Sequence, residues 1–72
     1  MKYKSTVIIT KEGKWFVARS VELGVTTQGR TVEKAQRNLE EAVELYLHDV
    51  PKLRKNLGKN PPLVTTIEVG RG

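Results

Sequence analysis

Residues 6–19 read Thr6-Val-Ile-Ile-Thr-Lys-Glu-Gly-Lys-Trp-Phe-Val-Ala-Arg19, and this stretch decides the fold of the chain. β-Branched and aromatic residues dominate both halves, which is typical of strands. The polar run between the halves contains Gly13, and glycine is the residue best able to adopt a positive φ in a tight turn. The stretch therefore predicts two strands, Tyr3–Thr10 and Trp15–Ser20, joined as a hairpin.

The two faces of this hairpin differ in character. We expect Lys11 to oppose Lys14 across the turn, and opposed residues share a face. One face is free of charge and is predicted to pack against a helix through Val7, Ile9, Phe16 and Ala18. The other face is a candidate oligomer or partner interface, with Trp15 at its centre and Ile8 and Val17 beside it. The alternative is that Trp15 lies across a partly exposed sheet without any partner.

The rest of the chain adds one strand, one helix and a last strand. A short third strand is predicted over Val25–Gln28, and Thr31 is a natural N-cap for a long amphipathic helix. Pro51 should end that helix near Val50, because the residue before a proline disfavours helical backbone. Alternating apolar residues predict a final strand over Leu63–Val69.

These elements give the order β-β-β-α-β and an α+β fold. Crossovers between parallel strands are right-handed in nearly all cases. We therefore expect a mixed four-stranded sheet with strand order 3-2-1-4, in which the last strand lies parallel beside the first. The helix would cover one face of that sheet and leave the other face open.

The length and composition of the chain limit what it can be. Seventy-two residues make a single domain, predicted over residues 1–72, whose core is small. With no cysteine and one histidine, we expect neither a metal site nor a cofactor. Association into a homo-oligomer, a dimer or a tetramer, is the remaining route to extra burial. No signal peptide or membrane-spanning run is apparent, which predicts a cytoplasmic protein without membrane contact.

Charge is distributed unevenly along the sequence. Residues 1–30 hold six basic and two acidic side chains, residues 31–50 hold two and five, and residues 51–72 hold five and one. The predicted helix is therefore acidic within a chain of net charge +5. The last segment supplies a candidate basic patch made of Lys52, Arg54, Lys55 and Lys59. Such a patch favours nucleic-acid binding, or it simply keeps a small protein in solution.

Several ordered segments resemble the HicB-like antitoxins. They cover most of residues 3–47, and the predicted last strand fits by order. The segments are Val7-Ile-Ile-Thr-Lys-Glu-Gly-Lys-Trp-Phe-Val-Ala-Arg19, Glu22-Leu-Gly24, Thr27-Gln-Gly29, Thr31-Val-Glu-Lys-Ala35 and Asn38-Leu-Glu-Glu-Ala-Val-Glu-Leu-Tyr-Leu47.

This resemblance implies a partial RNase H-like domain that acts as the antitoxin of a type II toxin–antitoxin system. Its partner would be a small HicA-type toxin that cleaves mRNA, and the antitoxin would mask the toxin's active site. The acidic helix supplies candidate toxin-facing residues, Glu40, Glu41 and Glu44. Many family members add a C-terminal DNA-binding module. No such module is expected here, because the sequence ends at Gly72, directly after the last predicted strand.

The sequence argues against catalysis. A nuclease of the RNase H type needs several carboxylates that converge on divalent metal ions. The first predicted strand contains no Asp or Glu. Ser5 and Ser20 have only His48 as a possible base, on the far side of a long helix. We therefore expect a non-catalytic protein. Two other functions stay open, namely a small nucleic-acid-binding protein and an oligomeric domain that has no toxin partner.

Overall fold

The computed structural model describes residues 4–58 and 62–70. Three antiparallel strands form one sheet, and a single α-helix packs on one face of it. The elements in chain order are β1 (Val7–Glu12), β2 (Trp15–Ser20), β3 (Thr26–Gly29), α1 (Val32–Asp49) and a 3₁₀ helix (Pro51–Asn56). The predicted α+β class is therefore confirmed. Tyr3, the predicted start of the first strand, lies outside the described residues.

The β1–β2 hairpin has a two-residue turn, Gly13-Lys14. Glu12 pairs with Trp15, and Gly13 adopts a φ of 63°, as a turn with glycine at its first central position requires. The predicted pairing of Lys11 with Lys14 is wrong, because β1 runs two residues further and Lys11 pairs with Phe16. A shift of two residues leaves every side chain on its predicted face, since side chains alternate with a period of two.

The third strand pairs with β2 and closes the meander. Val17 pairs with Gln28 and Ala18 with Thr27. The prediction of a strand over Val25–Gln28 was one residue early, because the observed strand is Thr26–Gly29. The carbonyl of Val25 still accepts from the amide of Ser20 at 2.8 Å, next to the pair of Arg19 with Thr26.

The core lies between α1 and the sheet, and it is built from small side chains. Ala18 and Ala35 are fully buried and Leu39 is 2% exposed. Four partly buried side chains pack around them, namely Ile9, Phe16, Val25 and Val43. Three of the four predicted helix-facing residues of the hairpin thus belong to the core or its rim. The fourth, Val7, is 37% exposed.

The approach of α1 to the sheet is close. A Cβ atom on Gly29 would lie 2.6 Å from the backbone nitrogen of Ala35, a distance that side-chain carbons essentially never show. Thr27 reinforces the contact, since its hydroxyl donates to the carbonyl of Ala35 at 2.9 Å. A glycine at the end of β3 therefore allows the first turns of the helix to sit directly on the sheet.

Both predicted ends of the helix are confirmed. The side chain of Thr31 accepts a hydrogen bond from the amide of Lys34 at 3.0 Å, which satisfies one of the free donors of the first turn. The helix ends at Asp49 with Val50 as its C-cap, directly before Pro51. No helix in the described part of the chain combines the length and the apolar composition needed to cross a membrane.

The predicted fourth strand is not formed. Residues 62–70 are described and contain no strand, so the sheet has the order β1-β2-β3 rather than 3-2-1-4. Alternation of apolar residues shows that a segment can form a strand, but a strand forms only where a neighbouring backbone pairs with it. The apolar side chains of this segment are exposed, with Leu63 at 94% and Ile67 at 81%.

Candidate partner-binding surfaces

The sheet face opposite α1 carries Ile8, Trp15 and Val17, and we call it the open sheet face. Ile8 is 41% exposed and Trp15 38%. The observed register separates them, because Trp15 pairs with Glu12 beside the turn whereas Ile8 pairs with Arg19 at the other end of the hairpin. Trp15 is therefore not the centre of a compact apolar patch, contrary to the sequence-based prediction.

A cation covers the tryptophan ring. The guanidinium carbon of Arg30 lies 4.9 Å from the ring centroid of Trp15, within the range of a cation–π contact. Phe16 pairs with Gly29 at the end of the β2–β3 ladder, so Arg30 follows directly opposite Trp15. Sequence reasoning missed Arg30, although a correct register for these two strands would have identified it.

A groove of about 870 Å³ lies beside β1, and we call it the β1 groove. It is bounded by the start of β1, by α1 and by the 3₁₀ helix. Its apolar lining consists of Val7, Leu39, Val43, Leu47 and Leu57, and its polar lining of Ser5, Gln36, Glu40, Glu44 and Arg54. The groove is thus an apolar channel with charged side chains among its walls.

The predicted acidic residues do not all lie in the β1 groove. Glu40 and Glu44, one helical turn apart, line the β1 groove, whereas Glu41 is exposed and does not line it. Arg54 reaches the same groove from the 3₁₀ helix. The predicted acidic surface and the predicted basic patch therefore both contribute side chains to the β1 groove.

The remaining members of the predicted basic patch lie near Arg54. Lys52 and Lys55 are exposed on the same 3₁₀ helix. Lys59 lies outside the described residues. The patch is therefore a short cationic segment adjoining the β1 groove rather than an extended basic track.

The edge of β1 is open along the described sheet. The amide of Val21 donates to the carbonyl of Thr6 at 2.9 Å. Thr6 and Val21 are therefore a hydrogen-bonded pair that extends the ladder between β1 and β2 by one position. Because such pairs alternate in antiparallel sheets, the backbone groups of Val7, Ile9 and Lys11 point away from β2. A row of backbone donors and acceptors therefore faces outward beside the β1 groove and is available to another strand.

The residues before β1 are anchored by one carboxylate. Glu22 Oε1 accepts from the amide of Thr6 at 2.8 Å and from the Ser5 hydroxyl at 2.9 Å. Glu22 Oε2 accepts from the Thr6 hydroxyl at 2.7 Å. The hydroxyl of buried Ser20 lies 2.6 Å from that of Ser5. Sequence reasoning missed this cluster, because only the folded meander brings residues 5–6 and 20–22 together.

The electrostatics of this cluster favour the charged carboxylate. Desolvation by burial acts to raise the pKa of Glu22, but the hydrogen bonds from Thr6 and Ser5 outweigh it and hold the pKa below its ordinary value. An ionised, fully hydrogen-bonded carboxylate is a weak base. The cluster therefore serves to fix the start of β1 against the turn between β2 and β3.

Comparison with protein families gives one result. A model described as a family of unknown function, DUF7387, matches residues 2–56. The match includes all three strands, α1 and the 3₁₀ helix, and therefore the open sheet face and the lining of the β1 groove except Leu57. Searches of curated proteins and of solved structures each found no match.

Proposed function

We propose that this chain, which belongs to the DUF7387 family, is a non-catalytic partner-binding protein of the HicB-like antitoxin type. Its partner would be a small HicA-type toxin that cleaves mRNA, and binding would mask the toxin's active site. The observation that carries the proposal is the β1 groove, an apolar channel beside an open strand edge with Glu40 and Glu44 in its wall. An antitoxin of this type acts in the cytoplasm, where its toxin meets mRNA.

Two of the three charged side chains in the groove, Glu40 and Glu44, suit a basic partner. An RNA-cleaving toxin must attract a polyanion, so its active-site surface is expected to be basic. Two carboxylates in the groove wall would complement such a surface and would suppress binding of acidic competitors. The apolar side chains beneath them, including Leu47 and Val43, would supply the buried area that charge pairs alone do not provide.

The finer fold belongs to the same proposal. In a partial RNase H-like sheet, Leu63–Val69 would lie parallel beside β1 and give the strand order 3-2-1-4. Two observations support this placement. The outer edge of β1 carries unpaired backbone groups, and the segment itself has exposed apolar side chains at alternating positions.

Co-expression tests the proposal. The chain would be produced together with a HicA-like toxin encoded beside its gene, and the readouts are growth rescue and co-purification. Double substitution of Glu40 and Glu44 by lysine should weaken the complex about tenfold or more, because it reverses two charges at the interface. Glu41→Lys is the control for each single variant, Glu40→Lys and Glu44→Lys, since it reverses one charge on the same helix outside the groove. A toxin that remains free and active, or a control as damaging as the single variants, contradicts the proposal.

A second candidate function is binding of single-stranded nucleic acid. The contact of Arg30 with Trp15 favours it, because single-strand binders combine stacking rings with cations. Trp15 is the only tryptophan, so its fluorescence reports directly on the open sheet face. Titration with RNA and DNA should quench it, with an affinity that falls steeply as salt rises. No change in fluorescence at low salt eliminates this candidate.

A further inference from the structure

The segment 62–70 has the properties of a strand that lacks a partner. Its odd-numbered positions from 63 to 69 hold Leu63, Thr65, Ile67 and Val69, and the three apolar ones are more than four-fifths exposed. In a strand these side chains would share one face. Seven residues also match the length of β1, which has six.

The β1 edge offers the complementary site. Its outward backbone groups can pair with one further strand. The β1 groove lies on the helix side of that edge, where Leu39, Val43 and Leu47 are already part of its lining. A strand added there would place Leu63 and Ile67 in the groove and leave Thr66 on the opposite face. Each molecule thus carries a candidate donor segment and an acceptor edge, and neither is paired within residues 4–58 and 62–70.

The direction of the chain favours a donor from another molecule. Gly58 forms an antiparallel bridge with Lys4, whose amide donates to the carbonyl of Gly58 at 2.9 Å. At Gly58 the chain therefore runs opposite to the direction of the residues leading into β1. To lie parallel beside its own β1, the chain would have to reverse before Leu63.

We propose that the protein forms a dimer by strand exchange, in which Leu63–Val69 of each copy becomes the fourth strand beside β1 of the other copy. Reciprocal exchange between two copies closes the assembly, because both edges and both donor strands are then used. This inference rests on the fourth strand of the proposed fold. Because the exchanged strand would occupy the β1 groove, the dimer and the toxin would compete for the same site.

Paired substitutions in the full chain test the exchange. Sedimentation at micromolar concentrations should show a dimer. Ile67→Asp should weaken it by at least about 100-fold, since the substitution places two charges in apolar sites of each dimer. Thr66→Asp, the neighbouring change on the other face, should leave the dimer intact. Circular dichroism of both variants should retain the helical signal of the parent, because the segment contributes nothing to the core under α1. A monomeric parent, or a dimer unaffected by Ile67→Asp, overturns the proposal.

Cross-linking identifies which molecule donates the strand. The chain lacks cysteine, so Thr10→Cys and Thr66→Cys can be introduced in separate chains, which are then mixed, unfolded, refolded and oxidised. A disulfide between the two chains is expected, whereas Glu33→Cys on α1 should form none with Thr66→Cys. A disulfide that forms only within a chain carrying both cysteines refutes exchange and retains the four-stranded sheet. If neither disulfide forms, both placements of the strand are wrong. The toxin proposal then still stands or falls by the co-expression assay, because the β1 groove would be free for the toxin.

Discussion

Replacing Glu22 by alanine removes the acceptor of three hydrogen bonds that hold the residues before β1 against the turn between β2 and β3. The two donors on Thr6 lose their partner inside a residue that is buried, whereas the Ser5 hydroxyl can still bond to Ser20. An unsatisfied buried donor costs about 1–3 kcal/mol. Partial access of water to Glu22 lowers the total, so we expect a loss of roughly 2–4 kcal/mol in the free energy of unfolding.

A loss of this size is large for so small a domain. Stabilities of about 0.05–0.15 kcal/mol per residue correspond to roughly 4–11 kcal/mol for this chain. The variant should therefore unfold at a markedly lower urea concentration than the parent. Urea is preferred to guanidinium chloride, because it does not screen charges. Glu12→Ala, which removes an exposed carboxylate at the other end of the same strand, should change the midpoint little.

The pH dependence has a definite sign. The pKa of Glu22 is lowered in the folded state from its ordinary value of 4.5. Its contribution to stability is therefore fully present above pH 4.5 and is lost as the pH falls through the folded pKa. Glu22→Gln should be less stable than the parent at neutral pH and should lack this part of the acid dependence. Equal urea midpoints for Glu22→Ala and Glu12→Ala, together with the same acid profile, would refute this reasoning.

Three further substitutions test the packing of α1 on the sheet. Leu39→Ala should lower the free energy of unfolding by about 2–5 kcal/mol in urea, because Leu39 is the largest of the three buried side chains in the cluster with Ala18 and Ala35. Val32→Ala on the exposed surface should cost far less. Gly29→Ala should lower the midpoint of thermal unfolding, since its Cβ would collide with the backbone of α1; Gly70→Ala, which meets open space, should not. Thr31→Ala should cost about 1 kcal/mol through loss of the N-cap, measured by urea denaturation.

Local features of the fold were predictable from the sequence. The alternation in β1 and β2 assigned Ile9, Phe16 and Ala18 to the helix-facing side even though the pairing was displaced by two residues, because a shift of two conserves the faces. The helix was bounded correctly, since Thr31 and Pro51 act through their own backbone neighbours. Such signals need no knowledge of the rest of the chain.

Features that depend on distant residues were not predictable in the same way. The anchoring role of Glu22 and the stacking of Arg30 on Trp15 follow from the observed strand pairings. The predicted fourth strand is absent from the described residues for a related reason. The pattern in Leu63–Val69 indicates a strand, but it does not indicate which sheet edge that strand would pair with. At the candidate site, composition identified the acidic helix, but only packing separated Glu40 and Glu44 from Glu41.

The bridge between Lys4 and Gly58 has a consequence for the order of folding. It joins residues 4 and 58, which are far apart in the sequence, whereas the hairpin and α1 form from near neighbours in sequence. The entropy lost in closing a loop grows with its length, so this bridge should form after the meander and the helix have assembled. In the native state it should open first, and the Lys4 amide should exchange its hydrogen with solvent faster than the Val21 amide. Opening of the bridge would release Gly58, beside the Leu57 wall of the β1 groove, while the core stays folded.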